Sequence, residues 1–353
     1  MDNPRRPAWL KPPRADGPRH TLHVVTGKGG TGKTTIAAAL ACALATKGRR
    51  VLLCELEGRE GISQLFGSAP LKGAGERRLI TTPAGGQVFG LSMDPENALM
   101  EYLETYYHLG IAGRALDRFG VVDFATSIAP GLQDVLLIGK VYEVTRRMIK
   151  NMPNAYDAVV LDAPPTGRIA TFLNVHEAVS DLAKIGPIRG QADAIGALLR
   201  SEHSVVHLVT LLEDMPITET TEAVSDLAPT KIEIGRVIAN MITPNTLDLA
   251  QLELAVKGRL PLTVPGLSEV ENKTLADELA IDAQRLIDEH QRRQRLVALG
   301  LPIIDLDLDP LGIDEAAILA MAATLRDQLP DEVRSPSAKS ADFNALRQAQ
   351  DSV

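Results

Sequence analysis

Residues 21–35 read TLHVVTGKGGTGKTT. Leu22 to Val25 form a short apolar run suited to a strand, and an alanine-rich helical segment opens at Lys33. Between them lie four glycines and Lys28. Such a turn lets backbone N–H groups converge on an anion at a helix N-terminus. Two templates fit it. Read as Gly27-x-Gly29-x-x-Gly32, with Glu55 ending the next strand about 20 residues later, it is a dinucleotide-binding turn. Read as G-x-x-x-x-G-K-T, it is a phosphate-binding P-loop. Charge separates the two. A pyrophosphate is neutralised by backbone N–H groups and the helix dipole, without a lysine. A triphosphate calls for an ammonium at the β- and γ-phosphates and a hydroxyl on Mg²⁺. Lys33 and Thr34 supply both. The expected ligands are therefore a nucleoside triphosphate and Mg²⁺, cradled by Gly27, Lys28, Gly29, Gly30, Thr31, Gly32, Lys33, Thr34 and Thr35.

Outward from this loop, β-rich runs recur at 22–25, 51–55, 88–93, 158–162, 205–211, 237–240 and 303–308, most separated by segments long enough for a helix. Strands apolar on both faces that alternate with helices indicate a parallel sheet covered on both sides. The expected fold is α/β, a doubly wound, mostly parallel sheet of the P-loop NTPase kind with an inserted helical subdomain. That subdomain is assigned to about 95–154 and 168–203, where helical periodicity runs too long for a simple crossover. The long helix from about Glu269 to Leu299 opens with Ser268 and Glu271 in capping-box spacing and reads as cover for the sheet.

Composition bounds the rest. The chain has 353 residues, 45% hydrophobic and 23% charged, enough to bury a sizeable core. Residues 1–20 hold five prolines and a net charge of +3, leaving −11 for the remainder. This basic, Pro-rich stretch and the polar stretch 331–353 read as disordered tails around a catalytic domain at 21–330. An acidic body argues against duplex DNA as an obligatory partner, so no nucleic acid is expected. No run of about 18 apolar residues and no secretory leader is present, so no stable membrane insertion is expected and the address is cytoplasmic. Cys42 and Cys54, both in apolar segments, cannot build a zinc or disulfide framework.

Asp162 closes the apolar run 158–161, and Ala163-Pro164-Pro165-Thr166-Gly167 follows. A carboxylate delivered at the C-terminal edge of a parallel strand suits the outer sphere of Mg²⁺ on Thr34. A turn-forming Asp before Pro is the alternative.

GKGGTGKTT (27–35) resembles the deviant Walker A motif of the dimeric ATPases that include arsenite-pump and tail-anchored-protein-targeting ATPases. That resemblance implies ATP as the triphosphate. DAPPTGRIATFL (162–173) is similar to that family's switch II, with Asp162, Pro165, Thr166 and Gly167 at its matching positions. Residues 93–99 resemble its I-D-P-x-x-A-L segment, and 127–131 its S-I-P-G entry to the helical subdomain. Asn240 ends a strand where the family places an asparagine that reads adenine. By resemblance, Lys28 reaches across a dimer interface to the partner's phosphates; on sequence alone it could also be a loop charge facing solvent. Glu57 falls where the family's switch I aspartate positions the attacking water, one methylene longer, with Glu55 and Glu60 as substitutes and an exposed loop charge as the other reading.

These expectations describe a Mg²⁺-dependent ATPase, slow or partner-controlled, that pairs as a homodimer or with a related chain. Its nucleotide state would control a protein or membrane-protein client, with transient membrane association only through a partner. A non-hydrolysing scaffold in a hetero-oligomer and a partitioning-type ATPase are the alternatives. Soft-ligand capture of arsenite needs clustered thiolates, which two cysteines do not provide.

Overall fold

The computed structural model of the chain describes residues 20–56, 60–71, 75–93, 98, 130–150, 155–174 and 187–329. Glu57, both terminal tails and much of the interval assigned to the helical subdomain lie outside them.

The described strands are β1 (Leu22–Gly27), β2 (Arg50–Leu56), β3 (Arg77–Thr81), β4 (Gln87–Met93), β5 (Ala158–Asp162), β6 (Ser204–Thr210), β7 (Ile234–Ile242) and β8 (Ile303–Asp307). They form one sheet in the order β3-β4-β2-β5-β1-β6-β7-β8. All neighbours are parallel except β3, which runs antiparallel to β4 at the edge. The central strands are buried along their length, as Val, Leu and Ile runs packed on both faces require.

Helices cover both faces. On one, α1 (Lys33–Leu44) packs beside the last described helix, Glu315–Gln328, in a core that includes Ile36, Leu40, Leu53, Val160 and Ile318. On the other lie α3 (Pro130–Ile149), α4 (Thr166–Leu173), α5 (Pro187–Leu199) and α6 (Asp214–Leu227), around Phe172, Leu161, Val206 and Ile138. A short α2 (Gly61–Leu65) follows β2. The apolar residues Val135, Leu137, Ile138, Val141, Ile195 and Leu198 are buried in this second core, so helix packing accounts for them.

Two features differ from expectation. β3 is an additional strand; its sequence RRLIT carries two arginines and leaves it half-exposed, as suits an edge. The long helix α8 (Glu269–Val297) starts with the expected capping box, Ser268 and Glu271 satisfying each other's backbone N–H groups. Yet it buries only Ala283 and Leu296, and packs chiefly on α7 (Leu249–Val256) and α6 rather than on the sheet.

Candidate nucleotide site

β1 and α1 are joined by the loop 28–32, at the C-terminal edge of the sheet where β1 lies between β5 and β6. The loop is already folded into a nest. Gly30 and Gly32 hold φ of 87° and 84°, in the left-handed region that a side chain disfavours. The Lys28 carbonyl accepts from Thr31 Oγ1 at 2.9 Å and from Lys33 Nζ at 3.1 Å, so the P-loop ammonium is folded over its own loop. A Cβ on Gly29 or Gly30 would meet nothing within 4 Å, so the outer side of the loop is open to a ligand. Gly27 differs: its Cβ would sit 2.2 Å from the Val209 carbonyl oxygen of β6, so tight strand packing requires glycine there.

Thr34, in the first turn of α1, donates from Oγ1 to Asp162 Oδ2 at 2.6 Å. Asp162 ends β5 and is the register partner of Glu55 on β2. Glu55 is 2% exposed. Its Oε1 accepts from the backbone N–H of Gly61 at 2.6 Å and of Ile62 at 3.2 Å, capping α2. Its Oε2 is buried with no partner. A Cβ on Gly61 would lie 3.1 Å from Glu55 Oε1 and 3.2 Å from Thr34 Cγ2, so the glycine lets carboxylate and threonine approach. A hydroxyl flanked by two carboxylates, one with a buried oxygen to spare, is a donor set that fits Mg²⁺. The other substitute, Glu60, is the N-cap of α2 with φ of 57°.

At β7, the register against β8 slips between Ala239 and Ile242, and Met241 takes φ of 55°. Asn240, 2% exposed, sits at this irregularity. Its Nδ2 donates to the Thr31 carbonyl at 2.9 Å, and its Oδ1 is buried without a partner. The carbonyl fixes which way the amide faces. A buried acceptor beside the phosphate loop suits a base amine.

The segment that resembles switch II is held at several points. Thr26 Oγ1 donates to the Pro164 carbonyl at 2.6 Å, and Pro165 precedes α4 in extended geometry. Gly167 lies in the first turn of α4. From α4, Arg168 pairs with Asp134 of α3 at 3.2 Å. Lys28 Nζ is paired within its own chain to Glu219 of α6, at 2.8 Å. Sequence reasoning missed Glu219, which no motif flags. Among the described residues no group of three or more His, Cys, Asp or Glu side chains is arranged to hold a metal by itself. Oxygens of a bound nucleotide would have to complete the Mg²⁺ site.

The sequence profile of the family described as Anion-transporting ATPase matches residues 20–198, across the loop, Glu55, Asp162 and switch II. The chain belongs to the anion-transporting ATPase family. ATPase BagA of Mycobacterium tuberculosis (strain ATCC 25618 / H37Rv) is 47% identical over 326 residues, covering 90% of this chain and 95% of that protein. The arsenical pump-driving ATPase of Acidiphilium multivorum is 26% identical over 276 residues, 71% of this chain and 45% of that protein. ATPase get3 of Schizosaccharomyces japonicus is 28% identical over 192 residues, 54% of each. This family member is an ATPase with the α/β fold read from its sequence. No helix among its described residues is long and apolar enough to cross a membrane.

Proposed function

We propose that the chain is an ATP-driven switch that pairs with a second ATPase subunit and couples its nucleotide state to a protein or membrane-protein client. The observation that carries this reading is the 2.6 Å hydrogen bond from Thr34 to Asp162. It ties the hydroxyl expected to hold the metal to the first residue of switch II, so events at the γ-phosphate reach α4 directly. From α4 the Arg168–Asp134 pair leads to α3, which lies in the C-terminal part of the first helical interval. Order and release of a switch segment around a γ-phosphate is an established way to drive a remote surface.

In this reading the amides of 29–32 and the ammonium of Lys33 hold the triphosphate, and Asn240 accepts from the base. Thr34 would hold Mg²⁺ with Asp162 and Glu55 around it, and the ion would neutralise charge building on the β- and γ-phosphates. Glu57 would orient the attacking water, and its extra methylene relative to aspartate supports slow or partner-controlled turnover. Lys28 would reach the partner subunit's nucleotide. Arsenite is not the cargo proposed: Cys42 and Cys54 are both buried, and burial pushes the Cys42 thiol up to about 12, away from the thiolate a soft ligand needs.

Single-turnover hydrolysis by wild type, Lys33→Ala and Glu57→Gln tests the chemistry. Wild type should exceed both variants by at least tenfold; equal rates in all three would leave a nucleotide-binding scaffold. Native mass measurement with Mg²⁺ and a non-hydrolysable ATP analogue, alone and beside cell extract, tests the pairing. A chain that stays single in both settings would refute it.

A further inference from the structure

Glu219 belongs to no motif, yet both of its oxygens are engaged by the nucleotide machinery. Oε1 pairs with Lys28 Nζ at 2.8 Å. Oε2 accepts from Thr166 Oγ1 at 3.4 Å. Lys28 comes from the phosphate loop, Thr166 begins switch II helix α4, and Glu219 lies on α6, which packs against α4. The sheet order explains the meeting: β6 neighbours β1, so the helix that follows β6 rises beside the loop that follows β1. One carboxylate thus spans the two segments whose geometry changes with the nucleotide.

We infer that Glu219 is a positioning residue, the resting dock of Lys28. It holds the lysine at home in the single subunit and gives it up when a partner's nucleotide arrives. The inference rests on the reading that Lys28 acts in trans. A lysine cannot serve a neighbour's phosphates and keep a 2.8 Å contact with a carboxylate of its own chain, so the pair must break on assembly. The Lys28 and Glu219 side chains are 30% and 29% exposed. Partly exposed ion pairs contribute little, so losing this one should shift the docked population only about two- to fivefold. A dock of that strength restrains the lysine without trapping it. The Thr166 hydroxyl makes the carboxylate responsive to switch II: movement of α4 withdraws one of its two donors and alters how Lys28 is held. A solvated surface pair that happens to lie near the loop would have no such coupling.

The tests use the full chain. In the first, amine acetylation of nucleotide-free protein is followed by mass spectrometry at Lys28 and at Lys257, whose 59% exposed side chain serves as an internal control. Glu219→Gln should raise the Lys28 rate about two- to fivefold and leave Lys257 unchanged. Thr166→Val, which spares the ion pair, should raise it less. No change at Lys28 in Glu219→Gln overturns the dock. In the second, pairing is titrated by analytical ultracentrifugation with Mg²⁺ and a non-hydrolysable ATP analogue, including the partner chain if extract supplied one. Glu219→Gln should tighten pairing by a similar factor, and Glu219→Gln should have no further effect in a Lys28→Ala background. Weaker pairing in Glu219→Gln would assign the carboxylate to the assembled state and overturn the dock. If Lys28→Ala pairs as wild type does, the trans-lysine reading itself fails. If Lys28→Ala abolishes pairing while Glu219→Gln leaves it unchanged, only the dock fails.

Discussion

Asn240 gives a prediction whose sign follows from one hydrogen bond. Its Nδ2 is committed to the Thr31 carbonyl at 2.9 Å, which leaves Oδ1, buried and unpartnered, as the group presented to a base. Adenine offers an amine to that acceptor, whereas guanine offers a carbonyl at the same ring position. Leaving a buried acceptor unpaired costs about 1–3 kcal/mol, so wild type should prefer ATP to GTP by about 5- to 150-fold. Asn240→Ala removes the acceptor. Because the same substitution deletes the donor to the Thr31 carbonyl, both nucleotides should bind more weakly through the loop, but ATP should lose about five- to tenfold more than GTP, one net hydrogen bond, and the preference shrinks towards one. Asn240→Asp behaves differently, because beyond losing the donor it sets a carboxylate against the Thr31 carbonyl. Loop geometry suffers, and both nucleotides should bind more weakly. Competition of ATP and GTP against a fluorescent nucleotide analogue in Mg²⁺ measures the ratio, with a thermal melt as the folding control. An Asn240→Ala variant that is fully folded and keeps the wild-type ATP/GTP ratio would refute the argument.

Three further outcomes follow from the same geometry. Glu55→Gln keeps an acceptor for the N–H groups of Gly61 and Ile62 but removes the charge beside Thr34. It should melt like wild type while needing about tenfold more Mg²⁺ for half-maximal nucleotide affinity, one charge-assisted contact of about 1.5 kcal/mol; an unchanged Mg²⁺ titration would remove Glu55 from the metal site. Gly27→Ala drives a methyl to 2.2 Å from the Val209 carbonyl oxygen and should lower the melting temperature sharply. Gly29→Ala meets nothing within 4 Å and should melt normally yet bind ATP more weakly, so equal melting temperatures for the two variants would contradict the packing described. Cys42 is raised to about 12 by burial and then by Glu315, while the unfolded thiol titrates near about 8.5. Because the folded value is the higher, this contribution is complete below about pH 8.5 and fades as pH climbs, by up to about 2 kcal/mol between pH 8.5 and 10. Guanidinium unfolding at those two pH values should show Cys42→Ala losing less stability than wild type, and parallel losses would refute the assignment.

The sequence disclosed the parts of this molecule that are local or apolar, and concealed those that depend on strand order. Residues 27–34 declare themselves because a phosphate nest needs closely spaced glycines, a lysine and a hydroxyl at fixed spacing, and the central strands because each carries a short run of Val, Leu or Ile, even with His23, Thr26, His207 and Thr210 buried among them. β3 was hidden for the opposite reason: an edge strand paired on one side tolerates Arg77 and Arg78, so RRLIT carries no apolar run. The reading of α8 as sheet cover failed because a capping box marks where a helix begins and says nothing about what it packs against. Glu55 was legible as the strand-ending acid of a dinucleotide turn and as a spare carboxylate near Glu57, not as a neighbour of Thr34. Its pairing with Asp162 appears once β2 is known to lie beside β5. Glu219 was not legible at all. It stands in a run of Thr and Glu on a surface helix, 53 residues beyond Thr166, and only the adjacency of β1 and β6 brings α6 to the phosphate loop. The motif therefore says what the site binds, whereas sheet topology decides which residues outside the motif can restrain it. That is why the restraint on Lys28 should vary among chains that share the loop but differ along α6.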